Sequence, residues 1–450
     1  MKQQWEEGMT LAQTQSVCPL CLKVVQARIT VHDQAVYMEK ECSEHGYFTV
    51  YLWPDVNHYQ WMQQFNLPAL PPHSPVAVRD GCPSDCGLCE AHLRQPTLVE
   101  IEVTEGCNLR CPVCFMAAND FRPDPNPSLE ALGEKYRYIL RHTNPDTSIQ
   151  LTGGEPTTRE DLADIIRLGR EIGFQAIEVN TNGVVIGRNP DYLQKLAEAG
   201  VSGIYLQFDG LTGEVYEQIR GENLLPTKLK AIANCREAGV QVVLAMTVIE
   251  GINEKQLGEV LKFALANKDV IVGIAYQPAF GSGRFDVPLS KRLTMGDVIF
   301  MLAEQSEGIL EPYDFWPLGC SNPLCSSSAY LVEEQGKITS LSRRLTPQEY
   351  REAFNPQSPQ GSVFADIALM NYPDLEPGLT ILIENYIDAR TMDLKKLREC
   401  SMIVAGKSGG LTPFCGYQLT NIHGEKLSEI RKHQDQKASR SESIKVKAYE

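Results

Sequence analysis

Long apolar runs are missing from this chain. The longest clean one, Val240 to Ile249, is half of the ~20 residues an α-helix needs to cross a bilayer, so no membrane span is expected. Positive charge is also short. Acidic residues outnumber basic ones by 57 to 42, and the net charge of −15 excludes broad electrostatic binding to nucleic acid or to an anionic bilayer. The stretch MKQQWEEGMT has no apolar core and no cleavage signal, so a cytoplasmic rather than a secreted protein is expected. Fourteen cysteines among 450 residues are too few for a disulfide scaffold. No repeat at a solenoid period is present. What is left is an ordinary globular mix, 43% hydrophobic and 22% charged, long enough for two or three structural units.

The few cysteines are clustered. Nine fall before residue 115: Cys18, Cys21, Cys42, Cys82, Cys86, Cys89, Cys107, Cys111 and Cys114. Four more form two late pairs, Cys320 with Cys325 and Cys400 with Cys415. Cys235 stands alone at core spacing on a helix pattern and is expected to pack. Without a secretory signal, gaps of two and three residues point to metal ligands rather than disulfides. Soft thiolates in such groups suit iron–sulfur clusters or zinc.

Residues 1–96 form a cysteine-rich region punctuated by proline, with LPALPPHSP at 67–75 as a stiff linker. From Leu98 the texture changes to strand-like runs: 98–104, 148–152, 176–180, 203–208, 240–248 and 270–277. Helix patterns lie near 128–142, 158–172, 190–199, 226–238 and 253–267. Strand–helix alternation means parallel βα units. Six such units predict an α/β fold with a partial (β/α)6 TIM-like barrel over 97–284, since an eight-unit barrel needs ~250 residues. Residues 285–430 are less regular and carry the late cysteines, and the polar tail 431–450 is expected to be disordered.

Two stretches share the spacing C-x3-C-x2-C: Cys82, Cys86, Cys89 and Cys107, Cys111, Cys114. Three cysteines can hold three corners of a [4Fe–4S] cube and leave the fourth iron open. The second stretch directly follows the first barrel strand, at the strand end where barrel active sites are built. The next strand end carries Gly153-Gly154-Glu155-Pro156, whose glycines permit close backbone approach to a ligand.

CNLRCPVC followed by GGEP resembles the radical S-adenosylmethionine (SAM) superfamily. Thr181-Asn182-Gly183, QFDG at 207–210, IRG at 219–221 and GIN at 251–253 fit the same pattern. The resemblance covers residues 98 to about 280. It departs at Val113, where an aromatic residue is common, and at Gln207, where a serine is often found. The resemblance implies that Cys107, Cys111 and Cys114 bind a [4Fe–4S] cluster whose open iron takes the amino and carboxylate groups of SAM. Reductive cleavage then gives a 5′-deoxyadenosyl radical that abstracts hydrogen from substrate. Gly153, Gly154, Glu155 and Pro156 would hold the methionine amino group, and Asn182 and Gln207 are candidates for ribose or carboxylate contacts. An oxygen-sensitive enzyme and an electron donor such as ferredoxin or flavodoxin are implied.

Cys18 and Cys21 with Cys42 and His45 make a C-x2-C … C-x2-H set suited to one tetrahedral zinc or rubredoxin-like iron. Cys82, Cys86 and Cys89, with His92 as a candidate fourth ligand, suit a further cluster. Cys320, Cys325, Cys400 and Cys415 are expected to converge on one auxiliary cluster, the alternative being two unrelated buried pairs. KECSEHGYF, CPSDCGLCEAH and TPFCGYQ resemble a radical SAM subgroup that holds the tetraether lipid synthases and proteins labelled as dihydropterin methyltransferases or molybdenum-cofactor-synthase-like. That likeness implies one or two auxiliary [4Fe–4S] clusters and one mononuclear iron or zinc.

The leading expectation is therefore a radical SAM enzyme acting on a largely apolar substrate, with carbon–carbon bond formation between lipid tails foremost. Phe280, Phe285, Phe315 and Trp316 are candidates for an apolar entrance, with core packing as the alternative for each. A pterin or other small-molecule radical methyltransferase is the second reading. A multi-cluster electron carrier, from a different class, and a zinc-rich binding module are the others. The GGEP loop and the six βα units favour the enzyme, because a carrier needs no SAM pocket.

Overall fold

The computed structural model describes residues 5–65, 67–78, 80–84, 86–119, 125–286, 292–355, 363–406 and 410–426. The expected tail at 431–450 lies outside the described residues.

Four antiparallel strands, β1 (Thr10–Val17), β2 (Val24–His32), β3 (Ala35–Cys42) and β4 (Gly46–Trp53), form a meander and lead into α1 (Val56–Gln63). Cys18 and Cys21 occupy the β1–β2 turn. Cys42 and His45 occupy the β3–β4 turn, so neighbouring hairpin ends present all four side chains together.

The larger sheet is built on β5 (Leu98–Thr104). After it come a two-residue strand β6 (Val113–Cys114) and α2 (Leu129–His142), β7 (Ser148–Gly153), α3 (Leu162–Ile172), and β8 (Ile177–Thr181). Next are α4 (Val184–Arg188), α5 (Pro190–Glu198), β9 (Gly203–Gln207), α6 (Gly213–Arg220), α7 (Leu225–Glu237), β10 (Val242–Val248), α8 (Leu257–Ala266) and β11 (Ile271–Pro278). Strands β5, β7, β8, β9, β10 and β11 are parallel neighbours in that order. All six expected strands are present within one or two residues of their ends. The helices α4 and α6 are short and were not visible as periodic patterns.

The rest of the molecule widens this run. After β12 (Arg284–Phe285, paired with β6) and α9 (Met295–Gln305) come β13 (Trp316–Pro317), β14 (Ser326–Glu334), β15 (Lys337–Ser340), β16 (Leu379–Glu384), β17 (Met402–Ala405) and β18 (Leu411–Pro413). β16 joins β11 in parallel and β17 joins β5 in parallel. The sheet curls: Glu100 on β5 and Glu384 on β16, six strands away along the sheet, are close enough to repel each other.

The two faces of the strands differ. Val99, Ile101 and Val103 are fully buried against the helices, as are Leu132, Tyr136 and Ile139 of α2 at i, i+4 and i+7. Each such side chain contributes about 1.5–3 kcal/mol of burial. The opposite face carries Glu100 and Glu102, Gln150 and Thr152, Glu178 and Asn180, and Tyr205 and Gln207. These alternate with the apolar positions, so they line the inside of the curl.

Candidate active site and metal centres

At the mouth of the barrel the loop after β5 carries Cys107, Cys111 and Cys114. It is tied down from several sides. Asn119 donates through Nδ2 to the carbonyls of Cys107 and Leu109, both at 2.8 Å, and accepts from the Cys107 amide at 3.3 Å. Arg284 donates to the Cys111 carbonyl at 2.7 Å. Arg220 donates to the Val113 carbonyl at 2.9 Å and holds Asp209 through two bonds of 2.7 Å. This buried pair explains why the QFDG and IRG segments occur together.

Gly153 and Gly154 press against the same loop. A Cβ on Gly153, whose φ is +130°, would lie 2.0 Å from the Thr104 carbonyl oxygen, and one on Gly154 would lie 2.3 Å from that of Gly106. The amides of Gly154 and Glu155 donate to those two carbonyls at 2.8 and 2.9 Å. The expected close approach is thus made to the cysteine loop. Glu155, 1% exposed, accepts through its carboxylate from Thr157, Thr181 and the Asn182 amide, so with its own amide on Gly106 it ties together the loops after β5, β7 and β8. Pro156 opens the one-turn helix Pro156–Thr158 that Glu155 caps.

Asn182 donates to Asn108 Oδ1 at 2.7 Å and approaches Cys107 Sγ at 4.0 Å. Gln207 accepts from Lys228 Nζ at 2.8 Å, and Lys228 also donates to the Asn182 carbonyl. Lys228 is fully buried, and that burial pushes its ammonium down to about 7, against the pull of Asp209. The sequence reading missed it. It occupies the apolar stripe 228, 231, 232, 235 of α7, where a lysine is out of place, and that was the available signal. Burial also pushes the Cys107 thiol up to about 12 and raises Cys111, which Arg220 draws back. Part-buried thiols with the cations of Arg220 and Lys228 close by fit thiolate ligands of an iron cluster, whose ligand charge those cations offset.

The first accessory set is complete. The ligand atoms of Cys18, Cys21, Cys42 and His45 all lie within 4.8 Å of one another, with His45 Nδ1 3.5 Å from both Cys18 and Cys42 sulfurs. These separations suit a tetrahedron with metal–sulfur bonds of ~2.3 Å.

Seven further cysteines, Cys82, Cys86, Cys89, Cys320, Cys325, Cys400 and Cys415, share one region. Cys82 and Cys86 sulfurs are 3.2 Å apart. Cys400 is near enough to Cys86, Cys320, Cys325 and Cys415 for negative charge on one to raise the others. Burial is the larger cause for Cys325, up to about 12, and Cys400, up to about 11. His92 is 1% exposed and bonds the Cys400 carbonyl through Nε2 at 2.9 Å. That bond, with Leu93 to Arg398 and Thr97 to Ser401, brings the early cysteines beside the late ones and occupies His92 as a tether. Cys235 is buried in the main core, as expected for packing.

Inside the barrel, Glu384 Oε2 accepts from Tyr205 at 3.0 Å, Gln277 at 2.7 Å and Tyr386 at 3.3 Å. Gln150 donates to Glu178 at 2.9 Å and accepts from Asn180 at 3.1 Å. Tyr417 donates to Glu102 at 2.9 Å. Glu100 is 3% exposed, and burial, then Glu102 and Glu384, push its carboxyl up to about 8. The four aromatics expected at an apolar entrance do not share a surface. Phe315 and Trp316 belong to two separate buried clusters, and Phe280 and Phe285 pack in two more.

The sequence profile of the radical SAM superfamily matches residues 101–264, and that of the HMPTM N-terminal zinc ribbon domain matches residues 10–54. A 7,8-dihydro-6-hydroxymethylpterin dimethyltransferase from Methanocaldococcus jannaschii is 32% identical over 92% of this chain and 94% of its own. A probable GTP 3′,8-cyclase from Archaeoglobus fulgidus is 32% identical over 39% of this chain and 57% of its own. Among solved structures, Streptococcus suis SuiB bound to S-adenosylmethionine aligns over 48% of each chain at 17% identity, with a TM-score of 0.42.

Proposed function

The chain belongs to the radical SAM superfamily and is an enzyme, and from that membership we propose that it acts on a polar, nitrogen-rich ring of the pterin type, as a radical methyltransferase. The observation that carries the substrate class is the polar side of the barrel interior, where Glu100, Glu178, Glu384, Gln150, Asn180, Tyr205 and Gln277 outnumber the apolar residues Val243, Ala245, Ala275 and Leu382 that share the same face by register. A lipid tail there would leave Glu100 and Asn180 Oδ1 facing hydrocarbon, a cost of about 1–3 kcal/mol for each unmet group. This favours a polar ring over a lipid tail. The methanocaldococcal relative, named for a pterin, supports the same choice.

When bound, the cluster and SAM supply a carbon radical that removes hydrogen from substrate. Cys107, Cys111 and Cys114 hold the cluster. Asn119, Arg284 and the Arg220–Asp209 pair fix their loop. Gly153 to Pro156, Asn182 and Gln207 line the SAM side, with Glu155 and Lys228 positioning those loops. Cys18, Cys21, Cys42 and His45 hold a structural zinc. The seven further cysteines suit two auxiliary [4Fe–4S] clusters, one fully ligated and one with an open corner. A ferredoxin or flavodoxin supplies electrons, and the fourteen free cysteines suit a reducing cytoplasm. Among the described residues no helix is long and apolar enough to cross a membrane.

The test is anaerobic reconstitution followed by SAM cleavage with and without 6-hydroxymethyl-7,8-dihydropterin. Stimulated 5′-deoxyadenosine release and a methylated pterin by mass spectrometry are expected. SAM cleavage that responds to a phospholipid and never to the pterin would reverse the choice of substrate.

A further inference from the structure

Hydrogen bonding inside the barrel is unbalanced. Many of its donors are already engaged: Tyr205, Gln277 and Tyr386 on Glu384, Gln150 on Glu178, Asn180 on Gln150, and Tyr417 on Glu102. Two acceptors on neighbouring strands are left over. Asn180 Oδ1 is inaccessible to solvent and has no partner among the described residues. Its orientation is set from outside, because its amide must donate to Gln150 Oε1, which is oriented in turn by the acceptor Glu178. Glu100 has no hydrogen-bond partner among the described residues. It is the register neighbour of Gln150 on β5, as Glu178 is on β8. A carboxyl group and a fixed amide oxygen therefore flank one glutamine, and neither accepts a hydrogen bond from the described residues.

We propose that Glu100 and Asn180 Oδ1 bind the amino and ring N–H donors of a 2-amino-4-oxopyrimidine edge, the edge that pterins share with guanine. This rests on the reading that the substrate ring lies inside the barrel. Burial beside Glu102 and Glu384 keeps Glu100 mostly protonated near pH 7 in the free protein, so a two-donor edge would bind with release of that proton to solvent, and the resulting pairing with a carboxylate is both strong and selective. It accounts for a carboxyl kept in a site with two other acidic neighbours, Glu102 and Glu384, which favours a ligand bringing donors. It also fits the two kinds of relative found, one named for a pterin and the other for a guanine nucleotide, through the one feature their rings have in common.

The experiment measures binding to the full-length protein, anaerobically reconstituted with SAM, for pterin, for lumazine, which has oxygen in place of the 2-amino group, and for guanosine. Wild type should prefer pterin to lumazine by about tenfold or more. Glu100→Gln should weaken pterin by at least about tenfold and lumazine little, and Asn180→Leu should weaken pterin less. The thermal midpoint of Glu100→Gln should stay level or rise, because the change removes a buried acid; a merely structural glutamate would lower it. Pterin bound equally by wild type and both variants overturns the edge assignment while leaving the pterin reading intact. Guanosine bound in a Glu100-dependent way with no pterin binding keeps the assignment and overturns the pterin reading. Binding of neither ring overturns both.

Discussion

The N-terminal ribbon and the barrel mouth hold sulfur donors by opposite means. In the ribbon, two hairpin turns of one small sheet supply four ligands, all within 4.8 Å. Nothing beyond residue 45 is needed to complete that set. At the barrel mouth three cysteines sit on one loop, and their placement depends on Asn119, Arg220, Arg284 and the glycines of the next strand end. The first arrangement leaves a metal no vacant position. The second, with three thiols, would leave a cluster one open position, which is the difference between catalytic and structural coordination.

Replacing Cys107, Cys111 and Cys114 together by Ala should push this contrast furthest. SAM cleavage, followed as 5′-deoxyadenosine by chromatography, should vanish, while the ribbon keeps one metal per molecule by elemental analysis. Normal cleavage by that variant would break the comparison. Asp209→Asn comes next. It strands a buried guanidinium, which should cost about 3–5 kcal/mol in chemical denaturation and loosen the cysteine loop without touching the ribbon metal.

Cys42→Ser should do the reverse. Ribbon metal should be lost and the thermal midpoint should fall, with SAM cleavage kept within about threefold. Cleavage lost together with the ribbon metal would mean that the two sites are not independent. The smallest effect is expected from Lys228→Met. In the folded protein Lys228 sheds its proton at about 7, below the usual ~10.4 of the unfolded state. Between those values the unfolded state holds more protons, so wild-type stability should rise with pH from 7 towards 10. Denaturation midpoints at pH 7 and 9 should show that slope, on the order of 1 kcal/mol per pH unit, and the methionine variant should lack it.

The six barrel strands and the cysteine groups were legible because each is written locally: apolar alternation for the strands, two- and three-residue gaps for the ligands. The convergence of Cys82 to Cys89 with Cys400 and Cys415 was not, since it depends on His92 reaching a carbonyl 308 residues away. The strands β16 and β17 were missed for a similar reason, because their partners β11 and β5 are remote in sequence. The acidic interior stood in plain view in LVEIEVT and AIEVN. A parallel strand covered on both faces usually runs continuously apolar, so each glutamate there signalled a polar chamber.

Lys40 gives the two halves of the molecule a shared timetable. Its ammonium is 2% exposed and its donors go to Ser16, Ala389 and Arg390, while Ser16 reaches Met392, Thr14 reaches Asp393, and Asn421 reaches Leu20. The carbonyl of Ala389 is made 349 residues after Lys40. At roughly 5–20 residues per second of synthesis, that is a wait on the order of 20–70 s. Throughout it the ribbon has all four ligands but not its cover, and Cys400 and Cys415 do not yet exist. Metal delivery to the ribbon therefore has a head start, and insertion of the clusters that use those late cysteines falls at the end of synthesis or after it.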